Sequence, residues 1–439
     1  MRVSIFFFMI TIFGGVTHAQ DWELLTKQQA VSEVLENNFG VIIAKNNLAI
    51  ANNNQGVLNS GFLPSLTGNA GASYNKDDQE VSFQDGSTNT VNGAETKRYN
   101  ASLNLNYTLF DGLGRWYDYK RLKEEYNLSE LQARETIETT LLQLFSVYFE
   151  VARLSENEEV LKQTFENTKE RLKRAQYAFE YGQVNKLNVL NAEVDLVTDS
   201  INLMNGRQQL INAKRDLTVV LNSDLERTFL VDTTVVFLGA LKIEDFIKSA
   251  DTNNVRLLQA QKNSKISDYT YKANKSIFLP TVGLTGSYGW NEGLFPSTNF
   301  LASNITTGIS AGVSLTWSLF DGGRGITSVK NSKIQLQSQE ILLNQVNAEI
   351  KRDIANARGN YQNRLQIFRL QEQNVTTATN NYERSLERYK LGQIPSVELR
   401  QAQINLLNAQ TSKNLAKYEA KLAELEILQL TGQLLNVDF

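Results

Sequence analysis

The chain contains no cysteine, one histidine and four prolines among its 439 residues. Without cysteine it has no disulfide framework, thiolate nucleophile or iron–sulfur cluster. The single histidine, His18, lies in the N-terminal segment, so the remaining chain lacks the imidazole of Ser-His-Asp catalysis and of most zinc sites. The 44 basic and 47 acidic residues nearly balance, which gives no general signal for nucleic acid. We therefore expect no metal, no cofactor, no nucleic acid partner and no enzymatic activity.

Residues 1–19 have the features of a cleaved signal peptide. Arg2 precedes an apolar run, and Thr17 and Ala19 supply the small residues of a cleavage site. The apolar run is shorter than the ~20 residues of a spanning helix, so a membrane anchor is the weaker alternative. No later apolar run reaches ~18 residues, which leaves a soluble exported protein or a β-barrel.

The chain is an internal repeat. Residues 61–66 (GFLPSL) resemble 277–282 (IFLPTV), and LFDG at 109–112 recurs at 319–322. Spacing within the two copies is constant except between Pro64 and Leu109, and variable length is typical of loops. We predict a first repeat over residues 20–222, a small β-rich insert over 223–242 and a second repeat over 243–439.

Alternation of apolar and polar residues predicts four strands arranged as two hairpins. It runs through residues 66–74, 99–110, 282–290 and 309–319. The intervening residues 75–98 and 291–308 are polar and are predicted to be long loops.

The rest of each repeat is predicted to be helical. Residues 113–180 and 323–390 contain no proline and space their apolar residues as a helix does, so each would extend ~100 Å, a length typical of coiled coils. The other predicted helices cover residues 23–60, 184–221, 243–276 and 396–430.

Two kinds of junction connect strands to helices in both repeats. Pro64 and Pro280 are predicted to stop a helix just before a strand. Asp111-Gly112 and Asp321-Gly322 precede the long helices, where Asp is expected to be an N-cap rather than a metal ligand.

Four strands cannot close a barrel by themselves. Each is long enough to cross a bilayer when tilted, but an open sheet edge in lipid would leave backbone groups unsatisfied. The strands would therefore have to come from several chains. The alternative is a soluble sandwich that caps a coiled coil.

These features together resemble the TolC-type outer-membrane efflux proteins, the exit ducts of tripartite pumps and type I secretion systems. The resemblance rests on the repeat, the FLP and LFDG junctions, and the turn segments at residues 179–193 and 389–403. It implies an α+β membrane protein: a homotrimer with four strands per chain, forming a shared transmembrane β-barrel in the outer membrane of a Gram-negative bacterium. A long α-helical barrel of tandem repeats would continue through the periplasm, with residues 223–242 in an equatorial girdle.

The resemblance also implies a passive duct that docks a periplasmic adaptor and, through it, an inner-membrane transporter. The docking residues would lie at the turns between long helices: Gly182, Gln183, Val184, Leu187, Gly392, Gln393, Ile394 and Val397. Glycine at these positions also simply ends a helix. Nearby Arg171, Lys173 and Arg174 are interpreted as solvated helix surface, with contact to an acidic face of the adaptor as the alternative.

The periplasmic mouth would be lined by Asn188, Asn191, Glu398 and Gln401. Only Glu398 is charged, so a ring of three could favour cations. The alternative is that Glu398 complements the macrodipole at a helix N-terminus.

Two other functions compete with the duct. A soluble periplasmic coiled-coil scaffold or adaptor would explain the helices but not four strands of membrane-spanning length. A hydrolase with paired carboxylates is disfavoured, because no compact catalytic domain is visible between the long helices. Terminal Phe439 is similar to the aromatic ending of many barrel proteins.

Overall fold

The computed structural model describes residues 23–437, so the predicted signal peptide and Phe439 lie outside the described residues. The elements, in chain order, are β1 (Glu23–Leu25), α1 (Lys27–Asn37), α2 (Phe39–Asn54), β2 (Ser65–Ser82), β3 (Thr88–Phe110), α3 (Gly114–Glu180), α4 (Lys186–Leu221), β4 (Phe229–Val231), α5 (Ala240–Lys248), α6 (Ala250–Asn253), α7 (Val255–Asn274), β5 (Thr281–Leu294), β6 (Ser303–Thr316), α8 (Arg324–Lys390) and α9 (Ser396–Leu430). In residues 23–437 no helix has the length and apolar character needed to cross a membrane.

The two long helices are confirmed. Helices α3 and α8 contain 67 residues each, which corresponds to ~100 Å. Helix α3 packs against α4 and α9 along one half and against α2 and α7 along the other, while α8 packs against α7 and α9. The helices therefore form one elongated layer, with α8 at one edge and α2 and α4 at the other.

The four predicted strands form one antiparallel sheet in the order β2-β3-β5-β6. The register places Gly68, Leu103, Tyr288 and Ile309 side by side, and places Thr67, Asn104, Ser287 and Ser310 in the next row. Because side chains alternate between faces, one face of the sheet is apolar across all four strands and the other is polar.

The prediction of long hairpin loops is wrong. Strands β2 and β3 continue to Ser82 and Thr88, so the first loop is only residues 83–87, and the second is residues 295–302. The added part of the first hairpin is polar on both faces, and alternation cannot reveal such a strand. Its backbone ladder holds it, and Thr298 of the second loop donates a hydrogen bond to Gln79 (2.6 Å).

The shorter helices also differ from the prediction. The predicted helix over 23–60 begins with a strand, β1, and is interrupted at Asn38, and its counterpart is interrupted at Asn254. Both asparagines have extended backbones and cap the following helix through their side chains. In the predicted β-rich insert only β4 is a strand, and it pairs in parallel with β1.

The main hydrophobic core lies midway along α3, where α1, α9, β1 and β4 meet. Its largest fully buried side chains include Tyr148, Phe145 and Phe149. The Tyr148 hydroxyl donates to the Leu25 carbonyl (2.7 Å) and accepts from the Asp232 N–H (2.9 Å). Burial raises the pKa of Tyr148 to about 12, so it stays a neutral donor that fixes the small sheet to the helices.

Candidate functional site

The turn between α3 and α4 is closed by a left-handed glycine. Gly182 has φ +72°. Its N–H donates to the Phe179 carbonyl (2.9 Å), and the Gln183 N–H donates to the Ala178 carbonyl (2.8 Å). This pair of bonds is a Schellman motif, which uses up carbonyls that a helix end would otherwise leave unpaired. The chain can therefore reverse direction within a few residues.

The turn between α8 and α9 has the same geometry. Gly392 has φ +70°, and the Gln393 N–H donates to the Arg388 carbonyl (2.9 Å). Pro395 occupies the N-cap position of α9, where its missing N–H costs no hydrogen bond. The two turns thus end two antiparallel helical pairs in the same way.

Most of the predicted docking residues lie on the surface of these turns. Gln183 and Gln393 are exposed, and the side chains of Leu187 and Val397 are 59% and 66% exposed. Val184 is half-buried, and Ile394 is only 6% exposed, so Ile394 is part of the packing beneath the second turn. Sequence reasoning missed the most exposed apolar groups of the turns, Tyr181 and Leu391.

The four predicted mouth residues occupy the first two turns of α4 and α9. Asn191, Glu398 and Gln401 are exposed, and Asn188 is half-buried. Glu398 lies in the first turn of α9, where a negative charge complements the helix dipole. The structure therefore leaves a solvated carboxylate at this end of the helical layer.

Above the turns, a buried ionic cluster joins α3, α4 and α9. The Arg400 guanidinium donates twice to the Asp199 carboxylate (2.7 and 2.8 Å), and Arg171 donates to Asp195 (2.6 Å). Thr168 also donates to Asp199 (2.7 Å) and accepts from Gln403 (3.0 Å). Removing one member of such a buried pair typically costs ~3–5 kcal/mol, so the cluster fixes how the three helices meet.

The cluster corrects the interpretation of Arg171 as solvated surface. Arg171 is buried, whereas Lys173 and Arg174 are exposed. Burial, together with the nearby Arg400 charge, lowers the pKa of Arg171 from its ordinary value. The sequence did contain one indication of this cluster. Asp195 and Asp199 are four residues apart and therefore lie on one face of α4, where they can bind cations of neighbouring helices.

Asp111 and Asp321 bind backbone N–H groups at the starts of the long helices, although not as N-caps. The N-cap positions are Leu113 and Gly323, both left-handed. Asp111 accepts from the Arg115 N–H (3.0 Å), and Asp321 accepts from the Gly325 N–H (2.7 Å). Each carboxylate thus reaches the first helical turn from two residues before the cap.

The two Asp-Gly junctions differ in their surroundings. A Cβ added to Gly112 would lie 2.7 Å from the Leu279 Cβ, just before Pro280, whereas Gly322 has open space. Pro64 and Pro280 each directly precede a strand, β2 and β5. No group of three or more metal-binding side chains occurs in the described part of the chain.

The family profile and the sequence relatives that match this chain all describe outer membrane proteins. The profile of the family described as outer membrane efflux protein matches residues 30–223 and 246–433. The chain is 21% identical over 419 residues to the outer membrane efflux protein BepC of Brucella suis biovar 1, covering 94% of this chain and 88% of BepC. It is 20% identical over 384 residues to the outer membrane protein TolC of Vibrio cholerae serotype O1, covering 86% of this chain and 84% of TolC.

Solved structures share the fold. The Campylobacter jejuni CmeC outer membrane channel superposes with a TM-score of 0.75 at 18% identity, covering 93% of this chain and 86% of CmeC. The Vibrio cholerae outer membrane protein VceC superposes with a TM-score of 0.73 at 16% identity, covering 92% of this chain and 96% of VceC.

Proposed function

The chain belongs to the outer membrane efflux protein family and is an efflux channel of the outer membrane, and we propose that three copies form one passive duct through the outer membrane and the periplasm. The observation that carries this proposal is that the sheet and the helical layer each have two open edges. The sheet ends at β2 and β6, and the helical layer ends at α2 and α4 on one side and at α8 on the other. Strand β2 follows α2 in the chain and β6 precedes α8, so the edges of both layers lie on the same two sides.

The sheet supplies the first pair of edges. Within residues 23–437, strands β2 and β6 each have a neighbour on one side only. Unpaired backbone groups cost several kcal/mol each in hydrocarbon. Because all neighbours in the sheet are antiparallel, β6 of one copy and β2 of the next also run antiparallel, so the barrel can close without a change of pattern. Three copies give twelve strands, with the apolar face toward lipid and the polar face toward the lumen.

Helix α4 supplies the second edge. An exposed apolar stripe runs along it at successive spacings of four, three, four, three and seven residues, consisting of Leu190, Val194, Val197, Ile201, Met204 and Ile211. This is the heptad pattern of a coiled-coil seam, which is stable only when another helix covers it. In a ring, the free side of α8 from the next copy lies opposite this stripe.

Helices α2 and α8 show the same pattern in the half of the layer nearer the sheet. Ile43 and Ile50 are exposed on α2 seven residues apart. Ile334 and Ile341 are exposed on α8 with the same spacing. In the half of the layer nearer the sheet, both edges of one chain therefore expose isoleucines at heptad spacing. A repeated head-to-tail contact of this kind forms a ring when its rotation closes, and we propose that it closes with three copies.

The duct acts by enclosing solutes rather than by chemistry. A polar lumen lets solutes diffuse, so the energy for export must come from an inner-membrane transporter, reached through a periplasmic adaptor. Leu187 and Val397, with Gln183 and Gln393 beside them, offer the adaptor two similar exposed turns per chain. Glu398, repeated three times, gives the periplasmic mouth a negative ring that favours cations.

The first experiment is membrane fractionation followed by a mass measurement. The protein is expressed with its N-terminal segment, the outer-membrane fraction is extracted in mild detergent, and the protein mass is determined by light scattering. We expect an outer-membrane species of three protomers. A monomer or dimer in the soluble periplasmic fraction would contradict the duct and favour the coiled-coil scaffold instead.

A further inference from the structure

The first hairpin of the sheet projects well beyond the second. Tyr74 of β2 and Lys97 of β3 lie level with Leu294, where β5 ends, and β2 continues for eight more residues to Ser82. At ~3.4 Å per residue this adds ~27 Å. The outer part of the first hairpin is therefore a two-stranded wall that stands above the loop of the second hairpin, residues 295–302.

The loop of the second hairpin is held against this wall. Thr298 donates a hydrogen bond to the Gln79 side chain of β2 (2.6 Å), and Asn89 of β3 donates to the Ser297 carbonyl (3.3 Å). Thr298 is only 6% exposed. The loop thus bends toward the first hairpin and packs on it.

These contacts lie on the polar face of the sheet. Gln79 is an even number of residues from Thr67 on β2, and the register shift beyond Asp77 adds its extra residue to β3, so Gln79 and Thr67 share one face. Asn89 is paired with Val81, which lies on the same face as Gln79. The loop therefore covers the face that carries the polar rows.

Phe295, at the base of the loop, covers the same face. A Cβ added to Gly293 would lie 2.5 Å from the Phe295 ring, and the Arg98 guanidinium lies 5.9 Å from the centre of that ring. Arg98 is paired with Gly293 and is six residues from Asn104, so both belong to the polar face. Phe295 and Asn291 line one groove there.

We infer that residues 295–302 form a constriction at the outer end of the duct and limit the size of the solutes that leave it. The inference rests on the proposed function, in which the polar face lines the lumen and the hairpins point away from the periplasm. Three copies then place three loops on the inner side of the barrel wall. Phe300 and Leu301 of each loop are 98% and 48% exposed, so a passing solute can contact them.

Labelling of single cysteines in intact cells tests the constriction, because the chain has no cysteine of its own. Asn291→Cys places a thiol on the polar face, on the periplasmic side of the loop. Thr90→Cys places one on the opposite face of the projecting wall, where it is exposed. Cells are treated with a small membrane-impermeant maleimide or with a maleimide that carries a long polyethylene glycol chain. We expect both reagents to label Thr90→Cys, and only the small reagent to label Asn291→Cys readily.

A second change in the Asn291→Cys protein tests whether the loop is the obstacle. Thr298→Val removes the hydrogen bond to Gln79 and should raise the labelling rate of the long reagent, relative to the small one, about three- to tenfold, as expected for the loss of one hydrogen bond. Ser297→Ala is the matched control, because it also removes a hydroxyl but keeps the carbonyl that accepts from Asn89. It should leave the ratio of the two rates unchanged. Deleting residues 297–300 should raise the ratio further than Thr298→Val does.

The possible failures can be told apart. If the long reagent labels Asn291→Cys as readily as Thr90→Cys, the duct stands and the constriction is wrong. The constriction is also wrong if Thr298→Val and Ser297→Ala change the ratio equally. If neither reagent labels Thr90→Cys in intact cells, the hairpins do not reach the cell exterior, and the proposed function fails together with this inference.

Discussion

Asn254 joins two helices end to end through one side chain. Its Nδ2 donates to the Leu430 carbonyl at the end of α9 (2.7 Å), and its Oδ1 accepts from the Leu257 N–H in the first turn of α7 (3.0 Å). Asn38 repeats the arrangement, donating to Val220 at the end of α4 (2.9 Å) and capping α2. These two asparagines connect the helices on the sheet side of the layer to those on the side of the turns.

Asn254→Ala should destabilise the protein more than Asn38→Ala. Either change removes an N-cap, which typically costs ~1 kcal/mol. Asn254 is 2% exposed, so its loss also leaves the Leu430 carbonyl without a partner where water has little access, a further ~1–3 kcal/mol. Asn38 is only half-buried, and water can replace its bond.

The measurement is the free energy of unfolding of each variant in the same detergent, from urea titration. Asn254→Asp keeps the capping oxygen and loses the donor, so it separates the two contributions and should also destabilise. Equal losses for Asn254→Ala and Asn38→Ala would show that burial at these junctions does not matter.

The apolar stripe on α4 gives a prediction about assembly. Ile201→Glu places a charge in the middle of the stripe, where a covering helix would have to bury it, so we expect the proposed trimer to dissociate at protein concentrations at which the unmodified protein remains assembled. Asn202→Glu, the neighbouring exposed position off the stripe, adds the same charge and should leave the trimer intact. Light scattering of both variants in the same detergent provides the comparison. A trimeric Ile201→Glu protein would mean that α4 does not form the contact.

Much of the fold was predictable because it depends on local patterns. The absence of proline and the spacing of apolar residues predicted α3 and α8, and alternation predicted the faces of the four-stranded sheet. Glycines at 182 and 392 predicted the two turns, because only glycine readily adopts positive φ at a helix end.

What escaped prediction depends on contacts between residues far apart in the sequence. Strand β1 forms because it pairs with β4. Each of these strands has only three residues, which is too short to show an alternation of apolar and polar residues. The outer part of the first hairpin has no apolar face and so no alternation. Arg171 was interpreted as solvated surface because the pattern of one helix does not show which residues of another helix pack beside it, here Arg400 of α9. The exposed turn residues Tyr181 and Leu391 were overlooked because apolar side chains are usually assigned to the interior.

The buried carboxyl group of Glu138 should make the stability of the protein depend on pH. Its side chain is fully buried on α3, where Arg134 donates to Oε1 (2.8 Å) and Oε2 has no hydrogen-bond partner in the described structure. Burial raises the pKa of Glu138 above its ordinary 4.5, although Arg134 opposes the shift. As pH rises past the ordinary value, the unfolded chain loses this proton before the folded protein does. Stability should therefore fall until the pH passes the raised pKa.

Glu138→Gln removes this titration. The free energy of unfolding is measured from pH 4 upward for the protein and for the variant. As pH rises, the stability of the variant relative to the unmodified protein should increase and then level off. The difference curve isolates Glu138 from the other titrating groups. A difference that stays constant over this range would mean that Glu138 has the same pKa in both states.

Alanine substitutions at the two equivalent glycines of the strand-to-helix junctions distinguish the cost of backbone strain from the cost of overpacking. Gly112 and Gly322 have φ of +69° and +72°, so alanine at either position carries a similar conformational cost of ~1–2 kcal/mol. At Gly112 the new Cβ would also lie 2.9 Å from the Ser276 carbonyl oxygen and 2.7 Å from the Leu279 Cβ, whereas at Gly322 nothing lies within 4 Å. Gly112→Ala should therefore lose more stability than Gly322→Ala, by the ~1–3 kcal/mol typical of overpacking. Unfolding midpoints of the two variants in one detergent measure the difference directly. Equal midpoints would show that the segment before β5 can move away from α3 at little cost, and that the close approach of Leu279 is not a fixed feature of the junction.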